Sequence, residues 1–471
     1  MAFIAFLGTL VLIELLTPSF SGLLGVPLSA DVLYHFDSMV QLLFIVLVLG
    51  ILSGLYPALF LSRLDPNKAL RGEIMQGVGS AKIRTALVVL QFAVAIGLIS
   101  ASGVVNNQID FVLKKPLGYD PENVLVVTNL NTPVYEAMRQ TLINNPNIVS
   151  VSAGSVIPTE DLSDGGGFSI LGGDPDFRVS TRSVRVAEQY FSTLGMEFIA
   201  GRALSDDFEA DRMPRMSPQN PTVSGGVVLN ERAAIAAGFS NPADAVGKSL
   251  FTNWNQNGTD YRIDYHVVGV VKDIYFGSLR TEIVPVSFTL SSGFRTMVVK
   301  AKDGYMQDVA TTIDNLWSEI VPEYPIRRNF LQDTYAGFYA VEGKTLNVFI
   351  GFSGIAILIA CFGLYGLASF VAESRVKEVG IRKVMGASVM QIVLMLSWEF
   401  SKLVLIANFI AWPTAYLLMN DWLTSFVYRI DLGLAPFIFA GVITFVLAWL
   451  TTSSRGYAVA KINPIYALKH E

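Results

Sequence analysis

The residues between 373 and 388 are the part of this chain whose types and spacing could do work. Glu373 with Lys377 and Glu378 with Arg382 stand four apart, in the order that favours pairing on a helix. Val376, Val379, Val384 and Met385 leave an apolar edge beside these charges, and Gly386 can stop a helix. The segment reads as a short amphipathic helix, basic and partly apolar. Such a helix either rests on lipid headgroups or docks a cytoplasmic partner, and the residues alone leave both open. Elsewhere, chemistry is scarce. His35, His266 and His470 are too dispersed for a metal site, and no Ser/His/Asp set or carboxylate pair has motif-like spacing. Gly165-Gly166-Gly167 is not followed by Lys-Ser/Thr, so it reads as loop rather than as a phosphate cradle. Cys361 is the single cysteine, which excludes an intrachain disulfide and reads as a small packing residue. Glu399 and Lys402 interrupt an apolar stretch three residues apart, where they can pair on one helical face. A pair of that kind inside a membrane is a functional candidate; near the cytoplasmic interface it is only an anchor. No enzyme, no metal site, no cofactor and no nucleic-acid partner is expected from these residues.

The elements that must position that helix follow from composition. A hydrophobic fraction of 52% and a mean hydropathy of +0.48 are too apolar for an ordinary soluble enzyme. Charge is segregated: residues 107–343 carry 28 acids and 19 bases, net −9, whereas the remainder is net +4. Six stretches are long and apolar enough to span a bilayer, at roughly 1–17, 38–62, 84–106, 346–371, 390–419 and 434–454. The fourth has no charge in 26 residues and the sixth none in 21. The first contains Glu14, but its Met1-Ala2-Phe3 start lacks the basic region of a signal peptide.

Orientation follows from basic residues in short loops. Arg63, Lys68, Arg71, Lys82 and Arg84 lie in one loop, Arg375, Lys377, Arg382 and Lys383 in another, and Arg455, Lys461 and Lys469 in the tail. The opposite loops hold one base, Arg429, against Asp31, Asp37, Asp421 and Asp431. Six spans therefore place both termini in the cytoplasm and residues 107–343 outside.

Residues 107–343 read as mixed α/β. Strands are expected at 124–127, 149–152, 227–229, 266–271 and 296–299, and helices at 134–144, 232–237 and 305–320. The segments 160–176 and 205–226 are expected to be loops. Residues 106–115 and 334–344 keep helical composition past the membrane surface, so two helices are expected to form a stalk coupling span tilt to domain position.

A phrase also occurs twice. Arg63-Leu64-Asp65-Pro66-Asn67-Lys68-Ala69-Leu70-Arg71-Gly72-Glu73 returns as Lys461-Ile462-Asn463-Pro464-Ile465-Tyr466-Ala467-Leu468-Lys469-His470-Glu471, each copy after a long apolar stretch. An internal repeat of this kind marks a structural unit used twice.

Arg375-Val376-Lys377-Glu378-Val379-Gly380-Ile381-Arg382-Lys383-Val384-Met385-Gly386-Ala387 resembles the signature of FtsX-like/MacB-like ABC transporter permeases, and the repeated Asp/Asn-Pro-x-x-Ala-Leu tail is similar to that family too. The external segment resembles the MacB-type periplasmic core domain in four places. These are Leu117-Gly118-Tyr119-Asp120-Pro121-Glu122-Asn123-Val124-Leu125-Val126, Tyr190-Phe191-Ser192-Thr193-Leu194-Gly195-Met196 with Gly201-Arg202, Val228-Leu229-Asn230-Glu231 through Gly247-Lys248, and Val268-Gly269-Val270-Val271-Lys272-Asp273.

The resemblance implies a membrane α-helical protein of six transmembrane helices, with one large extracytoplasmic α/β domain of MacB periplasmic-core type on a helical stalk. It implies a permease without its own ATPase, in a bacterial inner membrane. A separate cytoplasmic ABC ATPase would bind the ATP and push on a coupling helix at 373–387, comprising Glu373, Arg375, Lys377, Glu378, Val379, Gly380, Ile381, Arg382, Lys383 and Gly386. The push would move the external domain, for export or envelope processing of a peptide, drug or lipoprotein. The other reading left open is an envelope sensor or scaffold that acts without transport. Besides the ATPase, membrane lipid, a second permease unit and a periplasmic adaptor are the partners implied.

The expected organisation is 1–73 as the last two helices and tail of a first unit and 74–106 as linker and third helix. Residues 107–343 form the core domain with its stalk, and 344–471 the FtsX-like permease domain. Residues 84–471 match one complete family unit and 1–73 only the end of another, so the coding sequence is expected to extend upstream of Met1.

Overall fold

The computed structural model describes residues 2–24, 29, 31, 35–62, 78–160, 162, 165–171, 178–256 and 258–461. Both copies of the repeated phrase lie outside these residues, except Lys461. So does the Gly172-Gly173-Asp174-Pro175-Asp176 part of the expected loop. The chain divides into two compact units, one of residues 1–109, 341–424 and 430–471, the other of residues 110–340 and 425–429.

The first unit is helical. Its elements are α1 (Ala2–Leu24), α2 (Phe36–Ser62), most of α3 (Val78–Lys114), α9 (Ala340–Ser374), α10 (Val376–Val384), α11 (Val389–Leu423) and α12 (Ala435–Ala460). Five described helices, all but α2 and α10, are long and apolar enough to cross a membrane, and the 36–51 part of α2 is a shorter apolar helix. Their apolar character runs all round, as in helices that face lipid as well as each other. Where they meet, small residues let the backbones approach. Ala360, Leu364 and Ala368 of α9 lie against Val88, Phe92 and Ile96 of α3, with Ala407 and Ala411 of α11 and Ala440 and Ala448 of α12 in the same cluster. α11 has 35 residues, about 52 Å at 1.5 Å per residue, more than a bilayer core requires.

The second unit is mixed α/β, built on an 11-stranded sheet. Its elements are β1 (Val124–Thr128), α4 (Thr132–Leu142), β2 (Ile148–Gly154), β3 (Gly165–Ile170), β4 (Val179–Val186), α5 (Tyr190–Thr193), β5 (Phe198–Gly201), β6 (Thr222–Asn230), α6 (Glu231–Ala236), β7 (Ser249–Gln256), β8 (Thr259–Val271), β9 (Val286–Leu290), β10 (Thr296–Ala301), α7 (Met306–Ile320), β11 (Arg327–Phe330) and α8 (Leu331–Gly337). One part is the antiparallel run β11-β1-β10-β2. Alternate residues Leu125 and Val127, Val151 and Ala153, and Met297 and Val299 share a buried face there. Tyr135, Met138 and Leu142 of α4 and Val309, Ile313 and Trp317 of α7 cover it, at the three- and four-residue spacings that keep side chains on one helical face. In the other part, β4, β3, β7, β8, β6 and β9 pair in turn and a parallel β4–β9 pairing closes the circuit. Phe168, Val227, Leu229, Leu250 and Val267 fill its core against the small residues Ala233, Ala234 and Ala237.

The strands and longer helices expected for this unit are present, most with boundaries shifted by one or two residues; β6 begins five residues before the expected 227 and β8 seven before the expected 266. Three expectations differ. The expected loop 205–226 ends early, because β6 begins at Thr222. Gly165-Gly166-Gly167 is not loop: it opens β3 and pairs with Arg182, Thr181 and Ser180 of β4. Strand pairing supplies the backbone hydrogen bonds that three glycines could not secure through side chains. The expected second stalk helix is also interrupted, because α8 ends at Gly337 and α9 begins at Ala340.

Candidate functional site

Arg375 to Gly386 form a compact helical corner between two long apolar helices. α9 ends at Ser374, Arg375 caps the nine-residue α10, and Gly386 adopts φ +95°, a left-handed conformation that glycine takes without strain. Ser388 then starts α11 with a capping box: its backbone N–H donates to Gln391 Oε1 at 2.9 Å, and its Oγ accepts from the Gln391 N–H at 3.3 Å. The corner is therefore bounded on both sides by residues suited to stopping and restarting a helix.

Three contacts hold α10 in place. Val379 is 3% exposed and lies in a cluster with Ile392, Val393, Leu396 and Ala460. Lys383 Nζ donates to the Ala460 carbonyl at 2.6 Å, placing a cation at the last turn of α12, where the helix dipole favours one. Arg375 forks onto Glu399 of α11, with Nη1–Oε2 at 2.8 Å and Nη2–Oε1 at 2.9 Å. The expected Glu399–Lys402 pair is thereby corrected: Glu399 takes Arg375 as its partner. A planar guanidinium matches both carboxylate oxygens at once, which an ammonium cannot do.

The remaining expected residues fall as follows. Glu378 and Arg382 form their i,i+4 pair at 2.8 Å. Arg382 also contacts Met395 Sδ. Glu373 is exposed and Gly380 is buried, while the Lys377 side chain lies outside the described ones. Ile381, Val384 and Met385 are 48%, 66% and 82% exposed, so an apolar edge of α10 has no cover among the described residues. Sequence reasoning singled out Glu399 but gave it the wrong partner. The Ser388-x-x-Gln391 box was missed, although Ser with Gln three residues on is a helix-start signal carried by the sequence.

In the α/β unit, the four stretches that resemble a known core domain converge. Asn230 is fully buried, and all its side-chain capacity is used. Its Nδ2 donates to Asp273 Oδ1 and the Val284 carbonyl, both at 3.0 Å, and its Oδ1 accepts from Ala233 N at 3.0 Å and Val286 N at 2.8 Å. Asp273 Oδ1 also accepts from the Arg232 N–H at 2.8 Å. Burial raises the Asp273 carboxyl above its usual range, and the Arg232 amide only partly offsets this. Gly118 lies against the Asp273 carbonyl, Gly195 against Asp120, and Gly201 against the Val268 carbonyl, each at positive φ. Tyr265 on β8 is pushed up to about 12 by burial.

The same unit has a polar hollow of about 320 Å³ beside α4, where Arg139, Arg212 and Arg215 face Glu136, Glu188 and Asp206. Arg212 is committed to Asp206 at 2.5 Å. Among the described residues, no group of three or more His, Cys, Asp or Glu could hold a metal ion.

Two family models match the chain. A MacB-like periplasmic core domain covers residues 85–316, and an FtsX-like permease C-terminal domain covers residues 350–464. No curated protein matches it significantly. Among solved structures, the periplasmic region of MacB from Actinobacillus actinomycetemcomitans is similar at 17% identity, over 47% of this chain and 95% of that one, with a TM-score of 0.30. A domain of a putative permease protein from Porphyromonas gingivalis is similar at 12% identity, over 45% and 90%, with a TM-score of 0.30. The extracellular domain of the noncanonic ABC-type transporter YknZ from Gram-positive bacteria gives 10% identity, 44% and 100% coverage, and a TM-score of 0.27. The two family models, rather than these distant folds, carry the assignment.

Proposed function

Because the chain belongs to the FtsX-like/MacB-like family of ABC transporter permeases, a multi-pass membrane protein with a periplasmic core domain, we propose that it is the subunit through which a separate cytoplasmic ATPase does work outside the membrane. The partner binds and hydrolyses ATP; this chain supplies no cofactor. The observation that carries the reading is the build of α10. It is fixed to the helical unit by Val379, Lys383 and the Arg375–Glu399 fork, yet it turns Ile381, Val384 and Met385 outward. A surface that is rigid behind and apolar in front suits a docking element that must pass a push onward.

In this reading Glu373, Arg375, Lys377, Glu378, Val379, Gly380, Ile381, Arg382, Lys383 and Gly386 form the coupling helix. Six helices cross the membrane, both termini are cytoplasmic, and residues 107–343 are outside. The 37-residue α3, which continues to Lys114, supports a role as stalk. The transported or processed material is a peptide, drug or lipoprotein, and a second permease unit and a periplasmic adaptor are candidate partners beside membrane lipid. Co-purification with the cognate ATP-binding protein tests the proposal. Substituting Gly380 or Arg382 should abolish association while membrane insertion is retained, and undiminished association would overturn it.

The Arg/Glu-lined hollow beside α4 favours a second reading, an envelope sensor whose external domain binds a charged ligand without transport. An ATP-binding protein encoded next door and bound at α10 favours the first.

A further inference from the structure

We infer that the hollow beside α4 binds a small zwitterion with free ammonium and carboxylate ends, of amino-acid to dipeptide size and with an apolar side chain. The inference rests on reading the hollow as a ligand site and does not depend on whether transport accompanies binding. The hollow sits at a seam within the α/β unit. Tyr135, Ala187 and Phe294 belong to the core under the antiparallel run, whereas the 205–215 segment opposite is tied to the end of β9. Small-molecule sites favour junctions of this kind.

That segment is a fixed wall. Arg212 pairs with Leu290 as a parallel bridge, and the Met213 N–H donates to the Leu290 carbonyl at 2.8 Å. Asp211 is 1% exposed; its Oδ2 accepts from the Ser205 N–H at 3.1 Å and its Oδ1 from Arg202 Nη2 at 3.0 Å. The Arg212–Asp206 pair closes the segment on itself. A wall fixed in advance lowers the ordering cost of binding.

The charges around the hollow are opposite in sign and mostly unmatched. Among the described residues, Arg212 and Asp206 form an ion pair, but none joins Glu136 or Glu188 to Arg139 or Arg215. Glu136 and Arg139 stand three apart on α4, a spacing at which such side chains can pair, and they do not. Glu188 is oriented by the Ser205 hydroxyl, which donates to its Oε1 at 3.0 Å. Tyr135, 2% exposed, packs edge-on against Phe294 with 5.1 Å between ring centres. The charges that act on its hydroxyl are those of Arg139, Glu136, Asp206 and Glu188, all lining residues, so the phenol oxygen lies toward the hollow. Burial raises its pKa and keeps there a hydroxyl that both donates and accepts.

The ligand follows from this lining. A ligand of one sign would pair with half of the charges and be repelled by the rest. An uncharged one would cover them without pairing them, which is costly. A zwitterion sets its carboxylate on Arg139 and Arg215 and its ammonium on Glu136 and Glu188, and lays its side chain on Tyr135 and Phe294. Size sets the upper limit: taken as a cube, the 320 Å³ hollow is about 7 Å across, the length of roughly two extended residues.

The test is equilibrium dialysis of the full chain in phosphatidylcholine nanodiscs against alanyl-phenylalanine and free phenylalanine, each also in N-acetylated and C-amidated form, with sulfate alongside. At least one zwitterion should bind at least about tenfold more tightly than either of its blocked forms, roughly 1.4 kcal/mol, and the tighter of the two separates dipeptide from amino acid. Arg215→Gln should erase the preference over the amide, and Glu188→Gln the preference over the acetylated form. Each variant should keep the other preference, which a misfolded unit would not. Should a variant fail to fold, the wild-type ranking alone decides. Unchanged preferences in both folded variants would overturn the proposal. Acetylated forms or sulfate binding as tightly as the zwitterions would also overturn it, yet leave the hollow a charged-ligand site. No binding by any of these compounds would overturn both.

Discussion

Arg375 and Glu399 are 24 residues apart in sequence and meet as a two-bonded fork, at 2.8 and 2.9 Å. The pair ties the entry of α10 to the flank of α11, so tilting one helix must move the other or break two charge-assisted hydrogen bonds. Both side chains are more than a third exposed, which limits the contribution to global stability to about 1 kcal/mol or less. Glu399→Ala should therefore leave the melting temperature within a few degrees of wild type while markedly accelerating tryptic cleavage after Arg375. The exchanged pair Arg375→Glu with Glu399→Arg should restore protection. Cleavage at the wild-type rate in Glu399→Ala would show that the fork does not hold the corner.

The apolar edge of α10 gives a second expectation. Met385 is 82% exposed and Ile381 48%, and neither supports the fold from inside. Met385→Glu should cost less than about 0.5 kcal/mol of stability, as surface changes do, yet lower ATPase recovery in pull-downs at least about tenfold, a loss of roughly 1.4 kcal/mol. Arg139→Glu in the external unit serves as the control and should leave recovery unchanged. Equal recovery with Met385→Glu would remove the edge from the docking surface.

How much of this was readable in the residues depends on the range of the interaction. Local patterns sufficed for the strand expected at 124–127 and the helix expected at 305–320, because the first is a short, largely β-branched apolar run and the second repeats apolar residues every three to four. The charge order of Glu378 and Arg382 likewise foretold their pairing. The partner of Glu399 was misread because Lys402 is nearer in sequence, whereas Arg375 reaches it only after α9 and α11 are brought side by side. Gly165-Gly166-Gly167 was misread for a related reason: glycine suits a loop locally, and only the register with Arg182, Thr181 and Ser180 makes it strand. The parallel β4–β9 pairing that closes the six-strand circuit joins segments about a hundred residues apart and leaves no local signature.

Gly118 and Gly247 make a matched comparison. Both adopt φ +79°, so an alanine at either incurs the same left-handed strain, about 1 kcal/mol. At Gly247 nothing lies within 4 Å of an added Cβ, whereas at Gly118 it would collide with the Asp273 carbonyl. Gly118→Ala should destabilise the external unit by at least about 2 kcal/mol more than Gly247→Ala, in the range of overpacking and strain. Hydrogen exchange on peptides of that unit in the intact protein measures the difference. Similar protection in the two variants would mean that the carbonyl moves away at little cost.

Asp273 supplies the pH dependence. Its carboxyl is raised by burial, so the folded unit holds this proton more tightly than the unfolded chain does. For a group raised in the folded state, the stabilising contribution is fully present below the unfolded value, about 3.9, and is lost as pH rises through the higher folded one. At neutral pH the buried carboxylate is therefore a liability, held by Asn230 Nδ2 and the Arg232 amide. Asp273→Asn keeps an oxygen able to accept both hydrogen bonds and removes the charge. The variant should match wild type in acid and become the more stable of the two as pH rises through the folded value. Hydrogen exchange in the external unit, followed in both proteins across that interval, reads the crossover. A stability difference independent of pH would show that Asp273 stays equally charged in both states, and that Asn230 and Arg232 fully replace the water it gave up.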